Sequence, residues 1–131
     1  MDKYSIEHPG ITVSNLENSI SFYKNNFGFE EIKRADKPDL EVKLATLELN
    51  GSSLELLQPY KTRIEIDLRK KDSLKEILQK IPLFHLAIKV DNLNSVYKKL
   101  KENNVELITE FNEKFFFCKD LDGYLIEVRQ K

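Results

Sequence analysis

The chain carries the same pattern twice, and that repetition limits what it can fold into more than any other feature. Sliding the sequence by 77 positions lays His8 on His85, Val13 on Val90, Asn15 on Asn92 and Leu16 on Leu93. These are the chain's only two histidines, and each opens a strand-like stretch followed by an amphipathic helix. Each half also ends in a short apolar run with a glutamate inside it: Glu55 in Leu54-Glu55-Leu56-Leu57 and Glu127 in Leu125-Ile126-Glu127-Val128. The spacing is 47 residues from His8 to Glu55 and 42 from His85 to Glu127, a difference that loop length absorbs.

In the first half, Ile6 to Val13 reads as a strand. Ser14-Asn15-Leu16-Glu17 has the spacing of a capping box, with Ser14 and Glu17 satisfying each other's backbone donors. Leu16, Ile20, Tyr23 and Phe27 then recur at the spacing of one helix face, and Gly28 stands where a left-handed C-cap is wanted. Three strands follow, around 29–35, 41–50 and 53–58, separated by a turn at Asp36 to Asp39 and a hairpin at Asn50-Gly51. The second half begins a strand at Leu83 to Val90. Asp91 or Asn92 caps a helix bearing Leu93, Val96 and Leu100, which Asn103-Asn104 ends. Strands are expected around 105–109, 114–118 and 124–129, with Asp120-Leu121-Asp122-Gly123 turning the last pair. Residues 61–81 connect the halves, with Asp72-Ser73 capping a short helix that carries Leu74, Ile77, Leu78 and Ile81 and stops at Pro82. The expectation is one domain, 1–131, of two strand-helix-strand-strand-strand modules (about 4–60 and 82–131) joined by a helical linker over 61–81.

Side chains alternate along a strand. His8, Gly10 and Thr12 therefore share one face and Ile11 and Val13 the other; His85, Ala87 and Lys89 likewise oppose Phe84, Leu86, Ile88 and Val90. The larger apolar set belongs under the helix, which leaves the histidines on the open side. A glutamate among leucines is ordinarily the wet side of a strand, but chance gives no reason for both histidines and both glutamates to fall at equivalent places. Two imidazoles and two carboxylates suit a borderline divalent ion such as nickel, cobalt, zinc or manganese. His8, Glu55, His85 and Glu127 are the expected metal ligands.

A third of the 131 residues are charged, yet the net charge is -1, without the basic excess that a nucleic-acid partner requires. No stretch approaches membrane-spanning length and the start of the chain has no apolar signal core, so a soluble cytoplasmic protein is expected. The single cysteine, Cys118, reads as a buried small residue, and Phe115-Phe116-Phe117 as core and cleft wall. Lys89 and Arg129 lie along the ligand-bearing faces, where they either meet an anionic substrate or snorkel to water.

His8-Pro9-Gly10-Ile11-Thr12-Val13 with Asn15-Leu16-Glu17, Phe22-Tyr23 and Phe27-Gly28-Phe29 resembles the opening of the vicinal oxygen chelate superfamily. Its later motifs are matched by Ser53 to Leu57, by His85-Leu86-Ala87 with Val90-Asp91-Asn92, and by Asp120 to Val128. The four ligand positions coincide with those of glyoxalase I, or lactoylglutathione lyase. The resemblance implies an α+β fold of paired βαβββ modules forming a half-barrel cleft, assembled as a homodimer in which one site draws on both subunits. It implies a lyase or isomerase with one divalent ion per site and a small-molecule substrate, Glu127 moving a proton with Glu55 as its partner. Members using glutathione carry arginine where Thr12 stands and a polar residue where Pro59 stands, so the thiol is left open. Alternatives within the resemblance are a methylmalonyl-CoA-epimerase-like isomerase, which places glutamine where Glu55 stands, and a metal-free binder of the bleomycin-resistance kind, which lacks the ligand set.

Overall fold

The computed structural model describes residues 3–80, 84–108 and 111–131. They form two compact units, Met1–Arg63 and Ile64–Lys131. In the first unit the order is β1 (Gly10–Thr12), α1 (Leu16–Phe27), β2 (Glu30–Lys37), a 3-10 turn (Pro38–Leu40), β3 (Val42–Leu49) and β4 (Ser52–Pro59). In the second it is α2 (Leu74–Leu78), β5 (His85–Val90), α3 (Leu93–Glu102), β6 (Phe115–Lys119) and β7 (Leu125–Gln130).

The two sheets follow one plan. The first has strand order β1-β4-β3-β2, with β1 parallel to β4 and the others antiparallel. The second has order β5-β7-β6, with β5 parallel to β7 and β6 antiparallel to it. The strand expected around 105–109 is here a single bridge, Leu107 to Cys118, flanked by Ile108 N–H to Phe117 O and Lys119 N–H to Glu106 O, each within 3.0 Å. It lies beside β6 where β2 lies beside β3. Just before it, the Val105 N–H donates to Leu100 O at 2.9 Å to close α3, with Asn104 at φ 59°. Residues 109–110 lie outside the described residues.

Each helix covers the face opposite its histidine. Under α1, Leu16, Ile20 and Tyr23 are buried with Ile11, Val13, Ala45, Leu47, Leu54 and Leu56. Under α3, Leu93 and Leu100 are buried with Ile88, Phe116, Ile126 and Val128, and the Tyr97 ring meets Phe116 edge-on at 5.3 Å. The three consecutive phenylalanines divide as strand alternation requires: Phe116 goes to this core, Phe115 and Phe117 to the other face.

The helix starts repeat as well. The Asn15 side chain accepts from Asn18 N–H at 2.9 Å, and Asn92 accepts from Ser95 N–H at 3.0 Å. This corrects the Ser14–Glu17 box by one residue. Asn15 takes the cap, and Glu17, inside the first turn, instead pairs with Arg34, which also holds Glu31. The guanidinium lowers the Glu17 carboxyl below its ordinary value. Gly28 ends α1 in the left-handed region at φ 79°, and Asn50-Gly51 turn the β3–β4 hairpin with both φ positive, the geometry that suits strand twist. The capping box lies instead on α2, where Ser73 and Glu76 satisfy each other's backbone N–H groups. Ile81 and Pro82, expected to end that helix, lie outside the described residues.

Cys118 is fully buried, and desolvation pushes its thiol up to about 12. A raised folded-state value stabilises the fold below the unfolded thiol's pKa, and that contribution disappears as pH rises towards the folded value. Stability is therefore expected to fall between about pH 9 and pH 12, by at most about 1.4 kcal/mol per pH unit from this group. Denaturant titrations of the wild type and Cys118→Ala across that window check it: the alanine variant should show the shallower decline.

Candidate functional site

In the first module the parallel ladder pairs Gly10 with Glu55, Ile11 with Leu56 and Thr12 with Leu57. Glu55 N–H donates to Pro9 O at 3.0 Å, extending the contact one residue beyond β1. His8 stands two residues ahead of Gly10 and so on the same face as Glu55. Its Nε2 lies 3.4 Å from Glu55 Oε2, while Nδ1 is 3.2 Å from Glu7 Oε1. Both partners of the first contact are half-buried, with side chains 28% and 21% exposed. Gly10 has a reason to be small, since a Cβ there would stand 3.3 Å from Leu57 Cδ1 and 3.8 Å from Glu55 Oε1.

In the second module the ladder pairs His85 with Leu125, Ala87 with Glu127 and Lys89 with Arg129. The histidine again stands two residues ahead of the partner of the glutamate, and again a small residue, Ala87, faces that glutamate. The His–Glu register is thus the same in both modules. His85 is exposed, with its ring 6.2 Å from Phe117, and Glu127 is half-buried with Oε2 3.3 Å from Arg129 Nη1. Among the described residues no three His, Cys, Asp or Glu side chains gather in one metal-sized group. Each module supplies one pair, and the expected set of four takes two modules, whether of one chain or of two.

The first pair can be tested against the chemistry of an ion. Two ligands at about 2.0–2.1 Å from a tetrahedral centre stand about 3.3–3.4 Å apart. The His8–Glu55 separation matches this, and one imidazole with one carboxylate is a donor set zinc, nickel, cobalt or manganese accepts.

Two residues not singled out in the sequence complete each module. Gln58 Oε1 accepts from the Leu16 N–H at 2.6 Å, and Gln130 Oε1 accepts from the Leu93 N–H at 2.9 Å. Each glutamine follows its module's glutamate by three residues, so it points to the opposite face and ties the start of the helix to the strand that carries Glu55 or Glu127. The shared spacing in Glu55-Leu56-Leu57-Gln58 and Glu127-Val128-Arg129-Gln130 is the signal that could have found them.

The family model for the Glyoxalase/Bleomycin resistance protein/Dioxygenase superfamily matches residues 5–128. The chain belongs to that superfamily. Among its superfamily relatives is the mitochondrial methylmalonyl-CoA epimerase of Homo sapiens, 27% identical over 95% of this chain and 73% of the relative. The lactoylglutathione lyase of Neisseria meningitidis is 28% identical over 95% of this chain and 88% of its own length. Among solved structures, the trypanothione-dependent glyoxalase I of Leishmania major superposes with a TM-score of 0.80 at 22% identity, covering 98% of this chain and 87% of that one. The glyoxalase-like α+β fold is therefore established, and the relatives include both an epimerase and a lyase. No helix among the described residues is long and apolar enough to cross a membrane.

Proposed function

We propose that this chain is a divalent-metal-dependent lyase or isomerase of the glyoxalase I type, acting on a small substrate with oxygens on neighbouring carbons. The observation that carries the reading is the repeated His–Glu register, with His8 Nε2 and Glu55 Oε2 at ligand-to-ligand distance. His8, Glu55, His85 and Glu127 hold a nickel, cobalt, zinc or manganese ion, and the two modules act as halves of one domain within a homodimer. The bound ion supplies Lewis acidity to the substrate oxygens. Glu127 takes a proton from the reacting carbon and returns it to the neighbouring one, with Glu55 as its partner.

A second reading, epimerisation at a carbon beside a thioester, is supported by Thr12 and Pro59, which stand where glutathione-gripping residues are found in glyoxalase I, and by the epimerase relatives. Both readings use the same ion and the same base, and turnover of thiol hemiacetals against acyl-CoA epimers separates them.

Metal content of untagged protein purified without chelator tests the shared part. About one ion per chain is expected. His8→Ala and His85→Ala should each lower affinity by about a hundredfold or more, since removing one of four ligands leaves an incomplete shell. Unchanged metal content in both variants would refute the site. No uptake of any of the four ions by the wild type would leave the metal-free binding protein as the reading.

A further inference from the structure

The ligand-bearing face of the second sheet has two unlike ends. Register puts Leu125, Glu127 and Arg129 of β7, Phe115, Phe117 and Lys119 of β6, and His85, Ala87 and Lys89 of β5 on this one face. At the Leu125–Phe117 end the connector lies across it. Ile77 of α2 is buried against Phe117 and Leu125, with Leu74 and Ile108 beside it. Lys119, also at this end, is 3% exposed, and its ammonium donates to Lys70 O at 2.8 Å with Glu106 at 3.4 Å. That cation is spent holding the connector.

The other end is open and cationic. Lys89 and Arg129 are direct cross-strand partners, both exposed, one ladder step beyond Ala87 and Glu127. Like charges directly opposite destabilise a sheet, so local packing gives no account of the pair. The equivalent positions in the first module, Thr12 and Leu57, are uncharged. Arg129 is held in place rather than trailing into water: its guanidinium lies 5.4 Å from the centroid of the Phe115 ring, and Nη1 is 3.3 Å from Glu127 Oε2. A guanidinium has five N–H donors, and among the described residues only Nη1 has a hydrogen-bond partner. Lys89 has no ion-pair partner there. Among the described residues Glu127 is the carboxylate paired with Arg129, and it neutralises one of the two positive charges at most.

We propose that Lys89 and Arg129 form an anion subsite that binds a carboxylate or phosphate of the substrate beside the carbon served by Glu127. The inference deepens the metal-dependent reading and rests on it for the reacting end of the substrate. Because Arg129 reaches both Glu127 and the open end, the anionic group must lie within a few bonds of the carbon that exchanges its proton. The apolar end under α2 is filled by Ile77, Leu74 and Ile108, so the uncharged part of the substrate extends away from it. A substrate whose only anionic groups lie far from the reacting carbon leaves this pair unused.

The test uses the metal-free, isotope-labelled full chain, so that anion binding is read independently of the ion. Malonate and inorganic phosphate are titrated separately while the Arg129 Nε–H and Lys89 amide resonances are followed, with malonamide as the neutral control. Saturable shifts at both residues are expected with at least one anion and none with malonamide. Affinity should fall about tenfold or more in Arg129→Gln and in Lys89→Met, the scale of losing one charged hydrogen bond. The tighter-binding anion identifies the group as carboxylate or phosphate. No saturable shift with either anion, or affinity unchanged in both variants, overturns the subsite. Failure of the metal reading shows separately, as absent ion uptake by the wild type.

Discussion

Glu127→Gln should lose turnover by at least about a hundredfold while retaining much of its metal, because general acid–base catalysis is worth about 10²–10⁴ in rate. The substitution is nearly isosteric, and the side chain is 16% exposed on a strand locked between β5 and β6, so the fold has no reason to respond. On the proposed reading the amide oxygen would remain a ligand, whereas the capacity to accept and return a proton would be gone. The amide also carries no charge for Arg129, which pairs with Glu127 Oε2 at 3.3 Å in the native protein. Turnover and metal content measured on the same preparations separate the two roles. Wild-type turnover in this variant would remove Glu127 as the base. Lost metal with lost turnover would make it a ligand whose proton-moving role is undemonstrated.

Gly123→Ala should destabilise the chain by about 2–4 kcal/mol, far more than an exposed turn substitution ordinarily costs. The residue adopts φ 92°, and a Cβ there would lie 2.4 Å from both the carbonyl carbon and oxygen of Leu68 and 2.8 Å from Arg69 N. Backbone atoms cannot rotate away as a side-chain tip can. The turn cannot yield easily either: Gly123 N–H donates to Asp120 O, and the Asp120 carboxylate accepts from the N–H groups of Asp122 and Tyr124. The connector must lift, which threatens the Lys119–Lys70 bond and leaves a buried ammonium without its acceptor. The melting temperature should fall by roughly 10 °C. Gly51→Ala is the control, since Gly51 also has positive φ but nothing within 4 Å of the added carbon, and it should cost only about 1 kcal/mol. Equal losses in the two variants would show that the close approach to Leu68 is unimportant.

What could be read in the sequence was what repeats or alternates. The two helices, the Gly28 cap, the Asn50-Gly51 hairpin and the separation of Ile11, Val13 and Ile88 from the histidine faces all follow from spacing alone. The Ser14–Glu17 box misled because adjacent Ser14 and Asn15 are both good caps, and sequence spacing does not choose between neighbours. β1 is shorter than Ile6 to Val13 suggests: Pro9 has no N–H to give to a ladder, and Ile6 is 91% exposed. The His8–Glu55 contact depends on a parallel register, which hydrophobic alternation narrows to a face but not to a position. Least legible was the seat of α2. Ile77 marked the apolar side of a short helix, but only the three-dimensional arrangement puts it on the face that carries His85 and Glu127 rather than on the opposite one.

The parallel pairing of each module's first and last strands also bears on the order in which the protein assembles. Hairpin strands such as β3 and β4 meet after closing a two-residue loop, whereas β1 meets β4, and β5 meets β7, only when the whole module has come round. Closing the longer loop costs more chain entropy and is not rewarded until the contacts form, so it belongs late in folding. His8 and Glu55 become neighbours in that step and in no earlier one. A partly folded module therefore offers scattered single donors with little hold on an ion, and only the finished one presents a pair. On the proposed metal-dependent reading, competence to capture an ion would therefore come with the completion of the fold.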